Sequence, residues 1–218
     1  MSHEALRWLH VVTFALWFGT DLGVFAASRL VTSAAAPIDA RRAGLALMST
    51  LDVFPRVAML AVIAFGPLLA APYAGATVPV AWAIGWIALV GAWAWLAVWL
   101  HLHHGDAGAG WRRLDLLLRL TAIGACVGLA VGSSHDPARA WLVAKLLLLA
   151  IAIAFGLGVR RTLRPFGPAF AELLAGGSSE AVERRLRGSM RPTRAFVVGI
   201  YACVLTAAWL GVAKPAWP

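Results

Sequence analysis

The sequence predicts an all-α integral membrane protein, a bundle of six transmembrane helices in a single domain spanning residues 1–218. Three observations carry that prediction. Hydrophobic residues make up 61% of the chain and charged residues only 13%. The mean hydropathy is +0.79. Mostly apolar windows of about 20 residues or more, each enough to cross ~30 Å of hydrocarbon, recur along the chain. Such a composition excludes an ordinary soluble domain.

The windows fall at about 5–31, 44–71, 80–102, 113–133, 138–159 and 193–213. Connections such as "AAAPIDARR", "GPLLAAPYAGATVP", "HHGDAGAG" and "GSSHDPAR" are Pro- and Gly-rich, so sequential helices are expected to be antiparallel neighbours. The exception is 160–192, expected as a long cytoplasmic loop. Within it "SSEAVERRLR" opens on serine and glutamate and continues basic, which reads as a short helix on the inner membrane surface.

The net charge is +9, a balance that in a soluble protein would point to nucleic acid. Here the arginines are sorted by loop. Arg29, Arg41 and Arg42 lie in the first connection, Arg112 and Arg113 in the third, and Arg160, Arg161, Arg164, Arg184, Arg185, Arg187, Arg191 and Arg194 in the fifth, whereas the second and fourth carry only Arg139. The positive-inside rule then puts connections one, three and five in the cytoplasm and both termini on the outer, periplasmic side of a bacterial inner membrane. The expected partner of these charges is the lipid bilayer, and no nucleic acid is expected. The first helix lacks a basic leader region and is too long for a signal peptide. Cys126 and Cys203 read as small apolar fillers within helices.

Ionisable residues inside apolar windows are costly and so point to function. On the first helix His10, Phe14, Trp17 and Asp21 recur at helical spacing on one face, predicted to point into the bundle. On the fifth, Lys145 lies roughly 9 Å below the outer surface, in the layer predicted for His10. An imidazole and an ammonium in one layer suit an iron porphyrin: histidine is the usual axial ligand, and a lysine can pair with a propionate or coordinate the metal. His10 is therefore the candidate metal ligand. His10, Lys145, Trp17 and the loop residue His135 are the candidate heme b contacts.

Lys145, Arg56 and Asp21 are the candidate catalytic groups, with Asp21 in the cytoplasmic half as a partner for Arg56 or a proton relay. Asp52 with Arg56, and Asp115 with Arg119, are each spaced as an i,i+4 ion pair. His101, His103 and His104 come from one segment and, with Asp106, read as a polar helix end rather than a second heme site. Of eleven tryptophans, Trp8, Trp82, Trp111, Trp141, Trp209 and Trp217 fall near predicted membrane boundaries.

"LHVVTFALWFGTDLGVFAASRL" resembles the first helix of HemJ-type protoporphyrinogen oxidases and of the related membrane domain of copper-resistance D proteins. "LDVFPRVAMLAVIAFGPLL", "WLVAKLLLL" and "GVAKP" follow in the same order. The resemblance covers a little over half of the chain and leaves the third and fourth helices as additions. It implies that His10 and Lys145 correspond to the family's histidine and lysine, implicated in heme binding and activity.

The expected function is a heme b-binding membrane protein with a redox role, as electron carrier or oxidase, working with a redox partner protein or a quinone and open to homo-oligomer formation. The alternatives are copper or other ion transport and a non-catalytic membrane subunit of a larger complex. Met1, Met48, Met59 and Met190 are too scattered for a copper path.

Overall fold

The computed structural model describes residues 2–103 and 108–215. His104, Asp106 and Trp217 lie outside them. The described residues are all-α. α1 spans His3–Val31, α2 Ile38–Ala70, α3 Val80–Leu102, α4 Ala109–Ser133, α5 Ala140–Leu163, α6 Phe166–Gly176 and α7 Glu180–Ala213, with 3₁₀ turns at Ala71–Ala74 and Pro137–Arg139. Six of these helices, all but α6, are long and apolar enough to cross a membrane. In hydrocarbon only a helix satisfies every backbone group within its own segment, so the apolar windows and the helices coincide.

Two departures from the sequence reading share one cause. α2 begins at Ile38, six residues before its apolar window, and α7 begins at Glu180 rather than at 193. Hydropathy detects where a helix enters lipid, whereas caps determine where it starts. Pro37 precedes the first turn of α2, its carbonyl accepting from Arg41 N–H at 3.0 Å. Ser179 caps α7, its hydroxyl accepting from the amide of Val182. α7 then continues through Pro192, flanked by Ser189 and Thr193, whose hydroxyls donate to the carbonyls of Leu186 and Ser189.

The chain divides into two compact units. One comprises Met1–Leu22 and Leu51–Thr121, the other Gly23–Thr50 and Ala122–Pro218. In the first, α3 is tied to α2 by the indole of Trp86 donating to the Ala64 carbonyl at 3.1 Å. In the second, α5 and α7 pack against each other over much of their length. A methyl on Gly158 would meet the ring of Phe196 at 2.8 Å, and one on Gly199 would meet Phe155 at 2.5 Å. Each glycine thus admits an aromatic ring from the opposite helix, and the order of the contacts makes the pair antiparallel.

The segment expected as a loop at 160–192 is helical except for short breaks at 164–165 and 177–179. It folds around an apolar core of its own. Phe166, Phe170 and Leu173 of α6 and Val182, Leu186 and Met190 of α7 are buried together with Val31 of α1. Both sets follow the three- and four-residue spacing of an amphipathic helix, which buries one stripe and leaves the arginines outside.

Candidate functional site

In the first unit the predicted stripe on α1 is the enclosed face. His10, Phe14 and Asp21 are half-buried and Trp17 is buried, while Val11, Ala15, Leu16 and Leu22 are exposed. The His10 ring lies against α2, where its Cε1 is 4.0 Å from the position a methyl on Gly66 would take. Its Nδ1 is shut off from the surface. Thr13, one turn on, turns its hydroxyl back to the carbonyls of Leu9 and His10 and adds no exposed polarity to the face.

Arg56 forms the predicted ion pair with Asp52, one turn earlier on α2. Sequence reasoning missed the third member of this group: His101 of α3 brings Nδ1 to 3.7 Å from the same Asp52 carboxylate. Both sit in the half of their helix expected to face the cytoplasm, and in antiparallel neighbours that was the available signal. Along α2, Asp52 and Gly66 are 14 positions apart, about 21 Å. The His101 and His10 groups therefore occupy different levels of this unit, and Asp21, 11 positions from His10 on α1, is ~16 Å along the axis from it.

The Asp115–Arg119 pair on α4 is also present, with Nε 3.1 Å from Oδ2. It is a buried cluster rather than a surface pair, since Asp115 is 0% exposed and the indole of Trp93 on α3 donates to its other oxygen at 2.9 Å. The Arg119 guanidinium lies over the Trp93 ring at 5.9 Å. A carboxylate excluded from water needs its lone pairs filled, and Trp93 and Arg119 fill them from two sides.

The second unit holds the other two predicted site residues. Lys145 is half-buried on α5 and faces α7, its Nζ 2.6 Å from where a methyl on Gly211 would stand. His135 is exposed in the turn after α4. Cys126 and Cys203 are buried free thiols, as expected of apolar fillers. Towards the other end of α7, Arg41 of α2 is enclosed and forks onto Glu183 with Nη1–Oε1 at 2.6 Å and Nη2–Oε2 at 3.2 Å. Its Nε donates to the Val31 carbonyl at 2.9 Å, and the Ser178 hydroxyl donates to Glu183 at 2.8 Å. Arg194 closes the end of α1 in the same manner, donating to the Ser28 carbonyl at 2.7 Å and the Thr32 hydroxyl at 2.6 Å.

Among the described residues no group of three or more His, Cys, Asp or Glu side chains stands ready to hold a bare metal ion. A heme asks less of the protein, because the porphyrin supplies four nitrogens and the chain only the axial ligands. An inward-facing imidazole on a membrane helix, as His10 is, fits that requirement. Together the helices and the buried charges define a multi-pass membrane protein with ionisable groups held between its helices. The chain matches no protein-family model, no curated protein and no solved structure.

Proposed function

We propose that this protein binds heme b in the membrane and has a redox role, with His10 as an axial ligand. The observation that supports this reading is the setting of one imidazole. His10 lies on the enclosed stripe of α1 with its ring against Gly66 of α2, in a segment where a polar ring is costly without a task. When bound, heme would supply a one-electron iron couple. The chain's part would be to hold the iron through His10 and to keep water away with Phe14 and Trp17. Asp21, and Arg56 from its ion pair with Asp52, would be the groups to compensate a change in iron charge or to pass a proton. The redox partner would be another protein or a membrane quinone.

We infer that the membrane is a bacterial inner membrane, and the positive-inside rule would then put the arginine-rich connections in the cytoplasm. The decisive experiment is a reduced-minus-oxidised spectrum with a pyridine hemochrome assay on detergent-purified protein from heme-replete cells. One heme b per chain, lost in His10→Ala, is the expected result. A colourless preparation would refute the proposal.

A second reading, movement of protons or another cation, draws on two charged groups of the same unit, the half-buried Asp52–Arg56–His101 and the buried Trp93–Asp115–Arg119. Ion flux in reconstituted vesicles that is lost in Asp115→Asn, with no heme in wild type, would favour it.

A further inference from the structure

One end of the α5–α7 pair gathers two ammonium groups. Lys145 lies five positions after the start of α5, about 8 Å along its axis, and Lys214 directly follows α7. Trp141 and Lys145 are one turn apart on one face of α5, and Gly211 lies on the side of α7 that Lys145 meets, three positions before Lys214. Because the helices are antiparallel, these faces meet.

Gly211 leaves a notch in α7, and the Lys145 ammonium rests in it, since any side chain there would collide with Nζ at 2.6 Å. Lys145 thus faces a neighbouring helix rather than reaching along the lipid surface. Lys214 is the one non-glycine with a positive φ among the described residues, at 42°, and its N–H bonds the Leu210 carbonyl. This left-handed residue ends α7 and carries the Lys214 side chain back over the Trp141 ring, with Nζ 5.8 Å from the centroid. The Lys214 ammonium over the Trp141 ring and the Lys145 ammonium at Gly211 thus come to the same end of the α5–α7 pair. Two like charges brought together at a helix end, one through a disfavoured backbone conformation, have the chemistry of an anion site.

We propose that Lys145 and Lys214, with Gly211 as floor and Trp141 as wall, bind a phosphate oxyanion, the headgroup of an anionic phospholipid. Headgroup phosphates lie at the level of helix ends, and an indole is at home in that layer. The same chemistry would accept a free phosphate, and the test separates the two. It involves only residues of the second unit and stands independently of heme binding by His10.

The test is a lipid titration of the purified full-length protein in a neutral detergent, read by native mass spectrometry, comparing phosphatidylglycerol with phosphatidylcholine. Each lysine near a phosphate contributes about fivefold, so wild type is expected to prefer phosphatidylglycerol about thirty-fold. K145Q and K214Q should each lower that preference about fivefold and together remove it, while K145R keeps it. Gly211→Ala, which removes no charge, should lower it by displacing the Lys145 ammonium. Variants are compared only where they elute as monodisperse protein. Displacement of the lipid by millimolar inorganic phosphate would make a soluble phosphate the occupant and leave the site standing. Equal binding of the two lipids by wild type, or an undiminished preference in the K145Q/K214Q double variant, would overturn the proposal.

Discussion

Replacing Glu183 by alanine is expected to destabilise the second unit by ~3–5 kcal/mol, because it isolates a buried charge. The Arg41 side chain is 1% exposed and that of Glu183 5%. The guanidinium makes two bonds to the carboxylate and one to the Val31 carbonyl, and the Ser178 hydroxyl depends on the same carboxylate. Bonds to a charged partner contribute about 1.5–3 kcal/mol each, so losing two bonds agrees in size with the cost of an unpaired buried charge. At about 2–4 °C per kcal/mol for a chain of this size, the midpoint should fall by ~6–20 °C. A thermal ramp with a thiol-reactive dye suits the measurement, since Cys126 and Cys203 are buried in this unit. The R41M/E183L double variant leaves no charge behind and should recover most of the loss. The reasoning fails if E183A melts with R42A, whose guanidinium pairs with Asp39 on an open surface. It also fails if R41M/E183L is no more stable than E183A, because the loss would then come from packing alone.

The membrane helices were legible because lipid imposes a simple condition, a long apolar run, and the sequence meets it at each span. The segment 160–192 was read as a loop because it is charged, yet Phe166, Phe170 and Leu173 already stood at helical spacing. Charge density masked that apolar stripe, and only the buried set with Val31 shows what it packs against. At the candidate site, periodicity found the enclosed face of α1, and i,i+4 spacing found both Asp–Arg pairs. Neither rule could show that Trp93 fills the second oxygen of Asp115, or that Arg41 reaches Glu183 across 142 positions. Those are long-range contacts between residues whose local surroundings look like ordinary loop charge and membrane tryptophan. Lys214 was visible only as part of a short motif; its left-handed backbone and its position over Trp141 are properties of the fold.

Gly158→Ala and Gly199→Ala should each cost ~1–3 kcal/mol, because the added methyl meets an aromatic ring on the opposite helix; unchanged melting would mean the rings have room to move. Trp93→Phe should cost about 1.5–3 kcal/mol by taking the indole N–H from a carboxylate that has no access to water, read as the loss of helical circular dichroism on heating, because the cysteines lie in the other unit, against Trp95→Phe, an exposed control on the same helix. Single cysteines at Ala35 and Ala175 should react with an impermeant maleimide only from the cytoplasmic side, and one at Thr77 only from outside; the reverse pattern would invert the topology. His10→Ala and His101→Ala provide the sharpest comparison for the heme reading, because the two histidines stand at levels of the first unit that differ by about 21 Å along α2. Heme should be lost in His10→Ala and retained in His101→Ala, whose imidazole already faces the Asp52 carboxylate. Retention in the first and loss in the second would move the iron to the His101 end, where Asp52 and Arg56 rather than Gly66 and Trp17 would surround it.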